Sequence, residues 1–161
     1  MRIGGWLQTL VISGLLAAPA GTAAQAAGDL SRQEPIEVKV ELGAPGQHSF
    51  VPNKLRFETG KLYKLVLTNP SKDPHYFTSH AFTQLIFTRK VQVMGSRDGK
   101  PAPLAEFKGA IREIEVYPGQ TAEWWFVPVA TGRVTDLRCG IVGSDGKSHA
   151  DHGMVGEIVI D

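Results

Sequence analysis

The segment from Cys139 to Met154 carries the most reactive side chains of this sequence. It holds a thiol, the imidazoles of His149 and His152, and a thioether within sixteen residues. Thiolates and thioethers are soft ligands that suit Cu(I), whereas imidazole suits several transition metals, copper among them. A second His from elsewhere in the chain would complete two His, one Cys and a weak axial Met, which is the ligand set of type 1 copper.

The separate His is expected at the end of a strand, because one loop alone cannot close around a metal ion. His75 follows a predicted strand at 62–68 and the turn signal Asn-Pro, and we expect it on the opposite sheet from the loop. His80 follows the same strand and is the competing candidate. His48 follows a Pro-Gly turn and is expected to be exposed.

Other roles for the loop residues explain less of the segment. Zinc would accept Cys139 and two histidines but has no use for Met154, and structural zinc sites are usually richer in Cys. Nucleophilic catalysis by Cys139 also leaves Met154 without a role. His152 competes with His149 as the loop imidazole, although it would shorten the interval to the Met. Because the chain has a single Cys, a centre with paired cysteines and an internal disulfide framework are excluded.

The elements that must position these residues are predominantly strands. Residues 36–42 alternate apolar and charged side chains without a fault, which is the period of a half-buried strand. Seven or eight such strands at short spacing predict an all-β fold, an antiparallel β-sandwich. The other predicted strands lie at 55–57, 62–68, 114–116, 121–127, 134–139 and 155–160.

A turn signal within residues 111–128 predicts a hairpin. Pro118 and Gly119 are placed for the middle of a type II turn between two strand patterns. Trp124 and Trp125 would then point to opposite faces of the second strand, so at most one of them lies in the core.

Residues 78–110 depart from the strand pattern. Apolar side chains at helical spacing predict a short helix at Phe82, Leu85 and Ile86. The residues that follow are rich in turn formers, so we expect a long irregular excursion after the helix.

The first residues are predicted to be a targeting signal. The charge of Arg2 precedes a long uncharged and largely apolar stretch, and Ala24 and Ala26 form an A-x-A cleavage pattern. We therefore expect residues 1–26 to be a cleaved signal peptide and 27–161 to be one periplasmic domain without a membrane span. A membrane anchor is the alternative, but the apolar stretch is short and interrupted by Gly and Pro.

The charge balance limits the possible partners. The 161 residues include 17 basic and 16 acidic side chains, for a formal net charge of +1. No basic excess indicates nucleic acid as a partner, and strong electrostatic steering is not expected. The length and composition are those of one globular domain, which we expect to be monomeric.

The candidate ligands and the strand pattern described above resemble those of the cupredoxin family, the small blue or green copper proteins, over most of residues 27–161. The resemblance implies a Greek-key β-sandwich of the plastocyanin and azurin kind that holds one mononuclear type 1 copper ion. By the same resemblance the ligands are His75, Cys139, His149 and Met154. The matching motifs are Asn69 six residues before His75, the Pro-Gly-Gln-Thr-Ala-Glu-Trp-Trp-Phe segment from Pro118, the four residues between His149 and Met154, and the closing Met-Val-Gly-Glu-Ile-Val-Ile.

Two features depart from the family pattern. Nine residues separate Cys139 from His149, whereas the family usually has two to four, and Gly143 and Gly146 indicate an inserted flexible loop. Val134 replaces the usual aromatic residue in the strand before the Cys. A longer loop is expected to loosen the site and move its colour from blue toward green, with the ligand types intact.

The function implied by the resemblance is one-electron transfer, not enzymatic catalysis. His149 would reach the surface and pass the electron to a transient partner such as a cytochrome or copper oxidase, beside an apolar docking patch made by 140–142 and Gly153. The alternative is copper handling, meaning buffering, resistance or delivery, with the same ligands. A third hypothesis is a metal-free β-sandwich that serves as a binding module.

Overall fold

A computed structural model describes residues 33–44 and 46–161 of the chain. The predicted signal peptide at 1–26 lies outside these residues, as do 27–32. Over the described ranges there are eleven strands and one short helix, α1 (His80–Gln84). The strands are β1 (Ile36–Leu42), β2 (Phe50–Val51), β3 (Lys54–Phe57), β4 (Tyr63–Thr68), β5 (His75–Thr78), β6 (Ile86–Arg97), β7 (Lys100–Phe107), β8 (Glu113–Val116), β9 (Thr121–Pro128), β10 (Gly132–Arg138) and β11 (Val155–Ile160).

The strands form two sheets that enclose one core, which confirms the predicted all-β sandwich with a short helix. The first sheet has the order β2-β1-β4-β9-β6-β7 and the second has the order β3-β11-β10-β5-β8. Side chains of both sheets meet between them: the ring of Phe77 in β5 meets Trp124 in β9 edge to face, with 6.3 Å between the centroids. Both sheets are mixed, because β1 pairs with β4 and β3 pairs with β11 in parallel.

The expected excursion after the helix is wrong, because β6 and β7 form a long hairpin there. The hairpin extends the first sheet through pairing of β6 with β9. The hairpin could not be predicted from the sequence pattern because β7 is an edge strand. Most of its side chains are exposed, so the alternation of apolar and polar residues is missing. Pro101 and Pro103 are tolerated in β7 since an edge strand leaves some N–H groups unpaired. These strands, with β2 and β5, bring the count above the predicted seven or eight.

The predicted hairpin at 111–128 is also wrong, although its turn is present. Gln120 N–H donates to Tyr117 O at 3.0 Å, and Gly119 has a φ of +71°, as a type II turn requires. The turn leads the chain from β8 in the second sheet to β9 in the first. β8 and β9 pair with other strands and not with each other. The local turn residues therefore determine that the chain reverses direction, but not which strands pair. Trp124 of β9 is buried and Trp125 is partly exposed, as the alternation predicted.

The topology brings three strand ends to one edge of the second sheet. β10 is antiparallel to both β5 and β11. Arg138 at the end of β10 pairs with Val155 at the start of β11 and with Thr78 at the end of β5. The chain after β10 then runs back along β5, which brings Cys139 beside His75 and Met154. No helix within the described ranges is long and apolar enough to span a membrane.

Candidate metal centre

Three donor atoms converge at this edge of the sheet. His75 Nδ1 lies 3.1 Å from His149 Nδ1, and Cys139 Sγ lies 3.8 Å and 3.5 Å from the same two nitrogens. A circle through the three atoms has a radius of about 2.0 Å, as those three distances require. Protein ligands bind a metal such as zinc at about 2.0–2.1 Å for nitrogen and about 2.3 Å for sulfur. The triangle therefore fits one metal ion at bonding distance.

Met154 lies directly beside this triangle along the backbone. Cys139 N–H donates to Met154 O at 3.1 Å, and Met154 N–H donates to His149 O at 2.9 Å. The Met154 side chain is fully buried. The two hydrogen bonds tie Met154, at the start of β11, to the backbone of both loop donors.

The structure separates the competing histidines from the triangle. His80 is exposed at the start of α1, and His152 keeps a side-chain exposure of 35% while its Nε2 bonds Asp145 Oδ2 at 2.8 Å. The expectation that His75 comes from the opposite sheet is wrong. His75 begins β5, which neighbours β10 in the same sheet, because the chain crosses between sheets after Asn69.

The inserted residues between Cys139 and His149 form a small ordered hairpin, contrary to the flexible loop that was expected. Val142 and Ser148 form an isolated bridge, and Gly143 N–H donates to Lys147 O at 2.8 Å. Gly146 supplies the positive φ of +77° that the tight turn needs. The insertion projects outward from the site, so the donor atoms meet despite the longer connection.

A hydrogen-bonded chain holds the His75 ring from behind. Its Nε2 lies 2.9 Å from Ser71 Oγ, and Ser71 Oγ donates to Asn69 Oδ1 at 2.7 Å. Asn69 is fully buried and its amide donates to Val116 O at 2.7 Å. Such contacts orient a metal-binding imidazole, because a proton held on Nε2 leaves the lone pair of Nδ1 for the metal. The sequence indicated Asn69 only through the family motif and did not indicate Ser71.

Gly43 lets the backbone approach His75 more closely than any side chain would permit. A Cβ added to Gly43 would lie 2.7 Å from His75 Cδ2 and closer still to Nε2, and the φ of Gly43 is +77°. The first sheet thus packs its β1–β2 connection against the ring. A lone Gly in a loop carries no signal for such a contact, so sequence reasoning missed it.

Burial decides the protonation of the donors. Burial, followed by the charges of His149 and His48, lowers the pKa of His75 to about 4, and burial also lowers the pKa of His149. Both imidazoles are therefore neutral at pH 7, with lone pairs for a metal. Burial raises the pKa of the Cys139 thiol, while the backbone N–H groups of Ile141 and Tyr76 oppose the shift. Because the metal ligand is the thiolate, metal binding releases this proton.

His48 covers the site, in contrast to the exposed position expected for it. Its ring stacks on His149 with 4.0 Å between centroids and an angle of 24°. Ring nitrogens of His48, His75 and His149 all lie within 4.8 Å of one another. His149 is consequently only 4% exposed. The expectation that His149 reaches the surface is wrong, since the ring of His48, from the connection between β1 and β2, lies over it.

Comparisons with known proteins give a likeness of structure alone. No family model and no curated protein sequence matches the chain. A multicopper oxidase from Campylobacter jejuni, a metallo-oxidase, matches with a TM-score of 0.52 and 17% identity over 80% of this chain and 30% of that one. Auracyanin A, a "blue" copper protein from Chloroflexus aurantiacus, matches with a TM-score of 0.47 and 15% identity over 80% of this chain and 100% of that one.

A third match is the reduced auracyanin of Roseiflexus castenholzii, with a TM-score of 0.46 and 14% identity over 78% of this chain and 96% of that one. The chain spans less than a third of the oxidase, and identities this low concern the fold and not the activity. Two β-sheets packed as a sandwich and the match to the oxidase together show that this chain has a cupredoxin-like fold.

Proposed function

We propose that this protein binds one copper ion through His75, Cys139, His149 and Met154 and acts as a one-electron carrier. The observation that carries the proposal is the triangle of two imidazole nitrogens and one sulfur, with sides of 3.1, 3.5 and 3.8 Å. Copper bound there would supply the Cu(II)/Cu(I) couple. The buried Met154 is offered as the weak axial ligand, and the two sheets hold the donors in place.

In such transfer the protein holds the donor atoms rigidly and provides a group near solvent through which the electron enters and leaves the centre. The Ser71 and Asn69 contacts hold His75, and the N–H of Tyr76 donates to Cys139 Sγ at 3.3 Å. Because His48 stacks on His149, we place the solvent edge of the centre at His48.

An apolar surface beside the loop supports docking of a transient redox partner such as a cytochrome or copper oxidase. Val142 is 63% exposed, and Gly140 and Gly153 are also exposed. Small apolar surfaces of this kind suit short-lived complexes, whose interfaces are at the low end of the size range. With a formal net charge of +1, the partner is not selected by long-range attraction.

Voltammetry of the copper-loaded protein tests electron transfer against copper handling. We expect a reversible one-electron wave and full retention of copper through repeated cycles. The control is the same protein reduced in the presence of a Cu(I) chelator of moderate affinity. Rapid loss of copper to the chelator on reduction would contradict a carrier and support handling, meaning buffering or delivery by the same donors.

Met154→Gln tests the axial assignment. An oxygen donor stabilises Cu(II) relative to a thioether, so the reduction potential should fall while copper stays bound. Potentiometric titration of the wild type and the variant measures this shift. An unchanged potential and an unchanged visible spectrum would reassign Met154 to core packing.

We also propose that the protein is exported and acts in the periplasm. The support is the N-terminal pattern that ends at Ala26, together with the buried and unpaired Cys139, whose presence in an oxidising compartment a metal-binding role would explain. The intact mass of protein recovered from a periplasmic fraction should correspond to a chain that starts at Ala27 or Gly28. A full-length species retained in the membrane would contradict export by a cleaved signal.

A further inference from the structure

Four of the five histidines form one continuous column, and the proposed copper site uses only the inner two. His75 and His149 are buried, His48 stacks on His149, and the ring of His152 lies 5.4 Å from that of His48. The column therefore leads from the donor triangle to the surface. His48 also lines a surface groove of about 640 Å³, so the outer part of the column faces solvent.

The two outer rings lie nearly as close together as the two imidazoles of the proposed buried site. The His48 and His152 centroids are 5.4 Å apart with an angle of 31°, whereas the two triangle imidazoles His75 and His149 are 4.9 Å apart. A similar separation allows one ion to contact both rings. The pair offers nitrogen donors without a thiolate, a set that suits Cu(II).

Each outer ring has a nitrogen that needs a partner. The Nδ1 of His48 is buried and has no hydrogen-bond partner among the described residues. Burying such an atom without a partner costs free energy, so a bound ion that accepts its lone pair would stabilise this arrangement. On His152, Nε2 must donate to the Asp145 carboxylate, which only accepts, and the neutral ring then has a free lone pair on Nδ1.

Asp145 gives the second indication of a metal site. A carboxylate that accepts a hydrogen bond from the far nitrogen of a His is the usual outer contact of a metal-binding imidazole. Asp145 lies in the hairpin inserted between Cys139 and His149, and its Oδ1 accepts from Lys147 N–H at 3.1 Å, which fixes the carboxylate. The insertion thus has a purpose that the buried site alone does not require.

We propose that His48 and His152, oriented by Asp145, form a second copper site at the surface that loads the buried donors. A Cu(II) ion bound there lies next to His149, through which it can pass to the triangle. The loading step rests on the proposed copper function, whereas binding at His48 and His152 does not.

Copper titration of metal-free Cys139→Ser protein removes the thiolate site, and further variants on that background distinguish the outer pair from the remaining His75 and His149. We expect Cu(II) to bind without a thiolate absorption band and with an electron paramagnetic resonance spectrum that shows nitrogen coupling. Adding His152→Ala, which alters an exposed side chain, should lower the Cu(II) affinity of the Cys139→Ser protein, and so should adding His48→Ala. Adding Asp145→Asn should weaken it about 10–100-fold. Adding His80→Ala, an exposed His on α1, is the matched control and should have no effect.

The wild-type protein tests the loading step. It should bind two equivalents of Cu(II), and its thiolate band should appear several-fold faster than that of His152→Ala, while the final spectra agree. Equal affinity of the His152→Ala and His80→Ala proteins would overturn the second site, and equal loading rates would overturn the loading role. If the wild type shows no thiolate band but Cys139→Ser still binds Cu(II) through His48 and His152, the proposed electron carrier fails and the second site stands.

Discussion

Replacing Cys139 with Ser is expected to abolish the intense visible absorption of the copper-loaded protein. Cys139 is the only Cys of the chain, so no other thiolate can replace it. A Ser hydroxyl is a harder and far more weakly acidic donor, and it cannot supply thiolate-to-copper charge transfer. His75→Ala should also disrupt the band, because it removes one corner of the donor triangle. Absorption spectra of proteins loaded with one equivalent of Cu(II) measure both effects.

The matched control for these variants is His80→Ala. His80 is exposed at the start of α1, so its loss should leave the spectrum nearly unchanged. Circular dichroism of each metal-free variant separates loss of the site from loss of the fold. If His80→Ala bleached the band while His75→Ala did not, the assignment of the separate imidazole to His75 would be wrong.

Gly43→Ala is expected to damage the site although Gly43 supplies no ligand. The new Cβ would overlap the His75 ring, with 2.7 Å to Cδ2, and must push the ring away from Cys139 and His149. A displaced ring weakens its bond to the metal, and a loss of about 1.4 kcal/mol lowers affinity tenfold. We expect copper affinity to fall at least about tenfold, with a weaker or shifted visible band. Competition titration against a chelator measures the affinity.

Gly46→Ala is a close control for this prediction. Gly46 lies in the same connection and has nearly the same φ, +78°, but a Cβ there would meet nothing within 4 Å. Both variants thus carry a similar backbone cost of about 1–2 kcal/mol, and Gly43→Ala alone adds the clash with His75. Equal copper affinities for the two variants would show that the close approach to His75 is unimportant.

Local patterns predicted the strands whose environment is simple. β1 at 36–42 and β11 at 155–160 have the predicted bounds, because a strand with one face in the core alternates apolar and polar residues. β7 was missed since an exposed edge strand has no such alternation. The turn at Gly119 was predicted, yet its two flanking strands belong to different sheets, which only long-range pairing decides.

The sequence by itself determined the kinds of donor atom and the order in which the chain presents them. One thiol, one thioether and several imidazoles at characteristic intervals are properties of the chain, and they predict a copper site without coordinates. Which imidazoles face one another was decided only by tertiary structure. His75 meets Cys139 because β5 lies beside β10, and His48 covers His149 because the two sheets pack together. Burial and stacking between residues about 100 positions apart depend on packing of the whole sandwich, which no local pattern records.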